Sequence, residues 1–260
     1  KTTLAFAYAR KFHLEENKKV TYYYFRTGDL SPAETGVYDK ILKKHLGKYD
    51  IRIKGLDLLE EIKAFMTKKL RSEMITNFIC STTLFQSIIN LLPGFGYLIL
   101  LGAIVQDRID NPEYIGVIDA PASGHAFVMM DAVNNFQNIF GSGILFDEIK
   151  RLVSILHDDN YFNVVIPTLP SWMSMNESLE LKSKLEKLDY SNINILLNNL
   201  LTIDPNLDNL DWSVFPEVLS KKLQVQKQIC VHHKKHLVAK VPQILSKDTE
   251  DVINQIIPYL

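Results

Sequence analysis

Short runs of β-branched, aromatic and aliphatic residues alternate along the chain with longer stretches in which apolar residues recur every three or four positions. The short runs predict strands at Val20–Arg26, Ile51–Lys54, Tyr114–Ile118, Phe162–Pro167, Ile193–Leu197 and His236–Val241. Two of them contain the continuous apolar strings NVVIP and INILL. A strand apolar on both faces needs cover above and below, which is the situation of a parallel strand flanked by helices. Helical spacing occupies Leu4–Glu16, Leu56–Lys69, Ser142–His157, Asn176–Leu188 and Lys247–Ile257, with Asp248 and Thr249 suited to opening the last of these. This alternation predicts an α/β fold, a doubly wound and mostly parallel sheet in one domain over residues 1–260. No internal repeat interrupts it, and Leu200–Val214, rich in Asn and Asp, reads as a surface connection.

One stretch departs from the alternation. From Met74 to Gln106 the chain runs 33 positions without an Asp, Glu, Lys or Arg. That is long enough to cross a bilayer, but Pro93, Gly94 and Gly96 break a helix at its middle, and Asn77, Gln86 and Asn90 are costly in lipid. Two readings stay open: a pair of core helices flanking the PGFG turn, or a helical subdomain with an exposed apolar groove. Either makes residues 56–109 a helical insertion.

Composition narrows the function classes. With 29 Lys and Arg against 30 Asp and Glu, the net charge is -1, so no global positive field exists to hold nucleic acid or anionic lipid, and no nucleic-acid partner is expected. Two cysteines in 260 residues, Cys80 and Cys230, fit a reducing, cytoplasmic setting. The N-terminal KTTLAFAYARKF lacks the uninterrupted apolar core of a secretory signal, and its lack of Met leads us to expect informative residues upstream.

Two sets of residues carry candidate chemistry. Lys1-Thr2-Thr3, followed by an apolar helix, has the form of the last residues of a phosphate-binding loop, in which Lys reaches the terminal phosphates and a hydroxyl binds Mg²⁺. The same tripeptide also arises by chance. The strand at Tyr114–Ile118 ends on Asp119 and runs through Ala-Pro-Ala-Ser-Gly to His125. A carboxylate at the carboxyl end of a parallel strand is where such folds place ligand and metal chemistry, although an Asp can equally cap a turn there.

The run IDAPASGHAF, Ile118 to Phe127, resembles the second switch of the ArsA-type ATPases, the group of arsenical-pump and tail-anchored-protein-targeting ATPases. Further on, VVIPTLPSWMSMNESLELKSKLEKL resembles the family's strand, "TLPEEMPVNE" element and helix. INILLNNLL at 193–201 is similar to the strand whose Asn contacts adenine, and HLVAKVPQIL at 236–245 to the loop whose Pro lines the purine. The resemblance covers nearly the whole chain and implies a P-loop ATPase fold with ATP and Mg²⁺ as cofactors. Position by position it implies Lys1 on the β- and γ-phosphates, with Thr2 on Mg²⁺ and Thr3 closing the loop. Asp119 falls on the Mg²⁺ water shell, Gly124 near the γ-phosphate, and Asn198 and Pro242 around adenine, with Asn199 the second candidate amide. His125 is implied to orient the switch loop or to be structural.

The chain also departs from the family. Its first-switch stretch FRTGDLSPAE has no Asp-Pro, which leaves Asp29 as the nearest carboxylate to position the attacking water. The CxxC pair of a dimer zinc is absent, and Cys230 with His232, His233 and His236 reads as a ligand cluster or a solvated helix end. The expected activity is ATP hydrolysis coupled to anion transport or to handling of a hydrophobic client, in a chain that forms a homodimer or meets a membrane pump. A non-hydrolysing nucleotide switch and a partition-type ATPase are the alternatives.

Overall fold

The run Lys19-Val-Thr-Tyr-Tyr-Tyr-Phe25 forms β1, and its burial is continuous from Val20 to Tyr24 in a computed structural model of the chain. The structure describes residues 1–26, 32–91, 94–139, 142, 144–201 and 216–260. Two compact units divide the chain, Ala9–Asp158 in one and Lys1–Tyr8 with Asp159–Leu260 in the other. Helix α1 (Thr2–Leu14) contributes to both.

In the Ala9–Asp158 unit, β1 is the centre of a three-stranded parallel sheet with β2 (Ile51–Leu56) and β3 (Tyr114–Asp119) at its sides. Tyr24 stands opposite Gly55 on one side and Asp119 on the other. A Cβ at Gly55 would come within 2.5 Å of the Tyr24 hydroxyl and 2.6 Å of Arg26 Nε, so a larger residue there would displace those side-chain ends. Helix α2 (Pro32–Leu46) lies between β1 and β2, and its carbonyl at His45 accepts both Nε and Nη2 of the fully buried Arg10, at 3.0 and 2.6 Å.

Between β2 and β3 the described residues form α3 (Leu58–Leu70), α4 (Glu73–Ser81), α5 (Thr83–Leu91) and α6 (Phe95–Asp110). The strand takes Leu56, which the periodicity assigns to a helix, because Asp57 caps α3 by accepting from the Leu59 and Glu60 amides. Ser72 opens α4 the same way, through the Ile75 amide. Gly94 takes φ of 81° just ahead of α6, a left-handed conformation that glycine adopts without cost, and Phe95 and Gly96 already belong to that helix. Ile62, Cys80 and Ile99 form the centre of this helical region, with Leu58, Met66, Phe85 and Phe95 packed against them. Beyond β3 come α7 (Ser123–Ile139) and α8 (Ile144–Leu156), and Phe95 meets Phe136 edge to face at 5.5 Å.

The other unit holds a second parallel sheet in the order β4 (Val164–Thr168), β5 (Ile193–Leu200), β6 (Leu237–Pro242). Helix α9 (Trp172–Glu186) connects β4 to β5, and α10 (Glu217–His232) precedes β6. Helix α11 (Thr249–Ile256) is capped by Asp248 through the Glu250 amide, as the sequence expects. The α/β class and the parallel pairing follow the sequence pattern, with strands in all six expected places. Most of the surface connection expected at Leu200–Val214 falls outside the described residues. Among the described residues, no helix is long and apolar enough to cross a membrane.

Candidate functional site

Asp119 ends β3, and α7 begins at Ser123 after three intervening residues, Ala120, Pro121 and Ala122. The first hydrogen bond of that helix runs from the Ala126 amide to the Ala122 carbonyl at 2.8 Å. The amides of Ser123, Gly124 and His125 therefore lie in the first turn, where an α-helix has no intrahelical acceptor for them. The switch-like segment is thus shorter than the sequence suggests, because Gly124 and His125 belong to the helix and not to a loop before it. A Cβ at Gly124 would meet no heavy atom within 4 Å, so packing does not explain the glycine.

Two side chains that sequence reasoning did not single out frame this segment. The Tyr22 hydroxyl, from the centre strand, donates to Asp119 Oδ2 at 3.1 Å. Burial, then the charge of Asp119 beside it, pushes the Tyr22 phenol far above the ordinary tyrosine range, so it remains a donor at any physiological pH. Tyr97 on α6 shares a hydrogen bond of 3.2 Å with Nδ1 of His125. The start of α7 is therefore held from the helical region as well as from the sheet. The sequence signal for Tyr22 was present, since three consecutive tyrosines inside a buried strand need acceptors for their hydroxyls.

In the Lys1–Tyr8 and Asp159–Leu260 unit, Asn198, Asn199 and Pro242 come together at the carboxyl ends of adjacent parallel strands. Leu197 pairs with Lys240 and Leu200 with Pro242, so three steps on β5 match two on β6 and one residue is extra. Asn199 absorbs that bulge at φ of 59°, a left-handed conformation that Asn tolerates better than most side chains. The Gln243 amide donates to the Leu200 carbonyl at 2.7 Å, and the Leu201 amide to the buried Gln226 side chain at 2.8 Å, which fixes the strand just beyond the bulge. Strand β5 thus runs three residues past the expected Leu197, with both asparagines inside it. Lys1 lies just ahead of α1, with Thr2 and Thr3 in its first turn and the Ala5 amide donating to the Lys1 carbonyl at 3.0 Å. Asp29 lies outside the described residues.

The expected Cys230 and histidine cluster forms differently. His232 and His233 stand edge-on to Trp172, at ring separations of 5.9 and 6.0 Å. Burial raises the Cys230 thiol above its ordinary value, with Lys240 pulling the other way. Among the described residues no group of three His, Cys, Asp or Glu is placed to hold a metal ion.

A cavity of about 300 Å³ lies in the Ala9–Asp158 unit, lined in part by Glu61, Leu98, Gly102, Asp107 and Leu152. None of the residues expected from sequence to bind nucleotide lines it. Part of its charged rim is paired internally: Lys69 meets Glu148 at 2.6 Å and Arg151 meets Gln106 at 2.5 Å. A scan against protein-family models and a search of the curated proteins both find no match to the chain.

Proposed function

We propose that the chain is a cytoplasmic Mg-ATP-dependent ATPase of the ArsA type that couples nucleotide to the handling of a hydrophobic client. The observation that supports it best is Asp119 at the carboxyl end of a parallel strand, four positions ahead of a helix that opens at Ser123 with Gly124 in its first turn. A helix N-terminus offers amide donors and the positive end of the dipole, which suits a phosphate. Carboxylate and hydroxyl oxygens suit Mg²⁺, so the donor types of Asp119 and Thr2 fit that ion. In this reading Lys1 takes the β- and γ-phosphates, Thr2 binds the metal directly and Asp119 holds its water shell, with Tyr22 fixing the carboxylate. Asn198 and Pro242 flank adenine, and Asp29 positions the attacking water. Bound Mg²⁺ supplies charge neutralisation for phosphoryl transfer, and the protein's contribution is positioning.

Exposed apolar side chains in the helical region support the client half of the reading. Met74 and Phe78 on α4 are 83% and 72% exposed, and Leu91 at the end of α5 is 76% exposed. Met74 and Phe78 stand one helical turn apart on α4, and a contiguous apolar surface there would suit an interaction site.

The reading requires glycine-rich residues ahead of Lys1, so the decisive titration uses protein carrying them. Calorimetry with Mg-ATP at protein near 100 μM is expected to show saturable heat, lost in Asp119→Ala, since ordinary micromolar sites saturate there. A folded wild type that gives no heat overturns the nucleotide reading. Binding without phosphate release above buffer selects the non-hydrolysing switch instead.

A further inference from the structure

From Val218 to Lys247 the chain carries seven lysines and three histidines and no Asp or Glu, in a protein whose net charge is -1. This basic segment covers most of α10, the 3₁₀ turn at Lys234–His236 and β6. Basic residues in the last turn of a helix complement its dipole, which accounts for His232. They do not account for Lys234 and Lys235, which stand exposed beyond the helix end.

At the same place an indole is held partly in solvent. Trp172 opens α9 and remains 38% exposed, with His232 and His233 of α10 edge-on to it and His233 at 6.3 Å from His236. The turn that carries it is fixed from below. Ser171 caps α9 through the Ser174 amide, and the buried Thr168 hydroxyl donates to the Ser174 carbonyl at 2.9 Å while accepting from Ser178 at 2.8 Å. A rigid, half-open Trp loses little conformational freedom when a partner covers it, which is why Trp dominates interface energetics. Beside it in sequence, Met173 is 72% exposed, and Val231 and Val238 next to the histidines are 65% and 55% exposed.

We infer that this face, with Trp172 as apolar anchor and Lys234 and Lys235 as the selecting charges, docks an acidic amphipathic segment of a partner protein. Charge complementarity names the sign of the partner, and the exposed aliphatic side chains name its second feature. A phosphodiester backbone has no use for Met173, Val231 and Val238. A bilayer calls for a continuous apolar helix face, and α10 directs Leu223 and Ile229 inward to the core. Burial, and then His236 and His232 beside it, hold His233 below the ordinary histidine range, and the selecting charges of the patch are those of Lys234 and Lys235. The inference does not depend on nucleotide.

The test is fluorescence anisotropy of a labelled synthetic peptide, Leu at helical spacing with Glu between, titrated with the full chain and no nucleotide. Saturable binding is expected at about 50 mM salt and is expected to weaken severalfold at about 300 mM, where the screening length falls below 10 Å. The double variant Lys234→Glu, Lys235→Glu, both exposed and so harmless to the fold, is expected to weaken binding at least about tenfold, and Trp172→Ala by about the same. Trp172→Phe is expected to keep most of the affinity, and a peptide with Lys in place of Glu to show no binding. The inference is overturned if wild type with a native circular dichroism spectrum fails to bind, or if the double Glu variant binds equally well. Displacement of the peptide by oligothymidylate or phosphatidylserine vesicles that bind more tightly also overturns it, and assigns the face to a different class of partner.

Discussion

The two parallel sheets are built on opposite principles at their centres. Strand β5 is aliphatic where it is buried, with Ile193, Ile195, Leu196 and Leu197 all at 2% exposure or less. Strand β1 buries Thr21, Tyr22, Tyr23 and Tyr24 instead. Each of these hydroxyls has a partner: Tyr22 donates to Asp119, Tyr23 to Asp107, Tyr24 to Asp39 at 2.6 Å, and Thr21 accepts from Arg52 Nε at 2.9 Å. Aliphatic burial stabilises without direction, roughly in proportion to area. Hydroxyl pairing adds little net stability but fixes where each acid stands, because a buried acceptor left unpaired is costly. The difference teaches that the sheet holding Asp119 trades aliphatic core for position, and the other sheet does the reverse.

The sharpest way to break that comparison is to truncate the aliphatic strand. Leu196 is fully buried. Leu196→Ala is expected to cost about 2–5 kcal/mol in urea unfolding, from lost transfer energy and the remaining cavity. A loss under 1 kcal/mol would deny β5 its role as an apolar centre. Next in size is Asp107→Ala. Asp107 accepts from Tyr23 and from Arg52 at 2.6 Å, with Lys54 at 3.8 Å. Removing it leaves a hydroxyl and a guanidinium short of a partner in a half-buried place, at an expected cost of about 1.5–3 kcal/mol. Asp107→Asn, which still accepts, is expected to recover part of the loss.

These two residues also show what could be read from sequence. Leu196 lies in INILL, a string whose composition alone implies two covered faces, and the parallel strand appears where expected. Asp107 gave no local signal. Its partners lie 84 and 55 positions away, and they meet it because β1 pairs beside β2 and α6 carries Asp107 to their side chains. The same holds for the candidate site. Asp119 stands out because a carboxylate follows an apolar strand, and the tyrosine run implies buried hydroxyls in need of acceptors, but that Tyr22 meets Asp119, 97 positions on, follows only from the strand pairing. Helix α10 escaped notice because Val218 and Val231 face solvent and blur the spacing of its buried Leu223 and Ile229.

Tyr22→Phe tests position against stability directly. The loss of one hydroxyl contact is expected to cost only about 1 kcal/mol. If Tyr22 orients Asp119 as proposed, Mg-ATP affinity falls by more than that stability change explains, while Tyr24→Phe, whose partner is Asp39, leaves affinity unchanged. Alkaline titration at 295 nm checks the environment itself. Burial and neighbouring acids raise the phenols of Tyr22 and Tyr23, so both stay neutral as exposed tyrosines ionise near pH 10. Tyr22→Phe should therefore leave the rise near pH 10 at its wild-type amplitude.

The smallest effect expected is one of pH, and it belongs to the polar unit. Glu61 on α3 lines the cavity beside Asp107, and burial first, then nearby acids, raises its carboxyl above the ordinary glutamate value of 4.5, with Lys54 opposing them. A carboxyl whose folded-state value is raised binds its proton more tightly in the folded protein than in the unfolded chain. Its contribution to stability is therefore fully present below the unfolded value and is lost as pH rises through the folded one. At pH 7.5 the ionised Glu61 costs stability, and Glu61→Gln removes that cost. The variant is expected to unfold at a higher urea concentration than wild type at pH 7.5, by no more than about 0.5 kcal/mol because the side chain is only partly buried and solvent screens it. The gap should close as the pH falls to about 4 and both side chains become neutral. A variant less stable than wild type at pH 7.5 would mean that attraction to Lys54 outweighs burial, and the cavity would then hold a stabilising ion pair where the comparison places a tolerated charge. Any core substitution in β5, with no titratable group in its buried run, should lack this pH dependence.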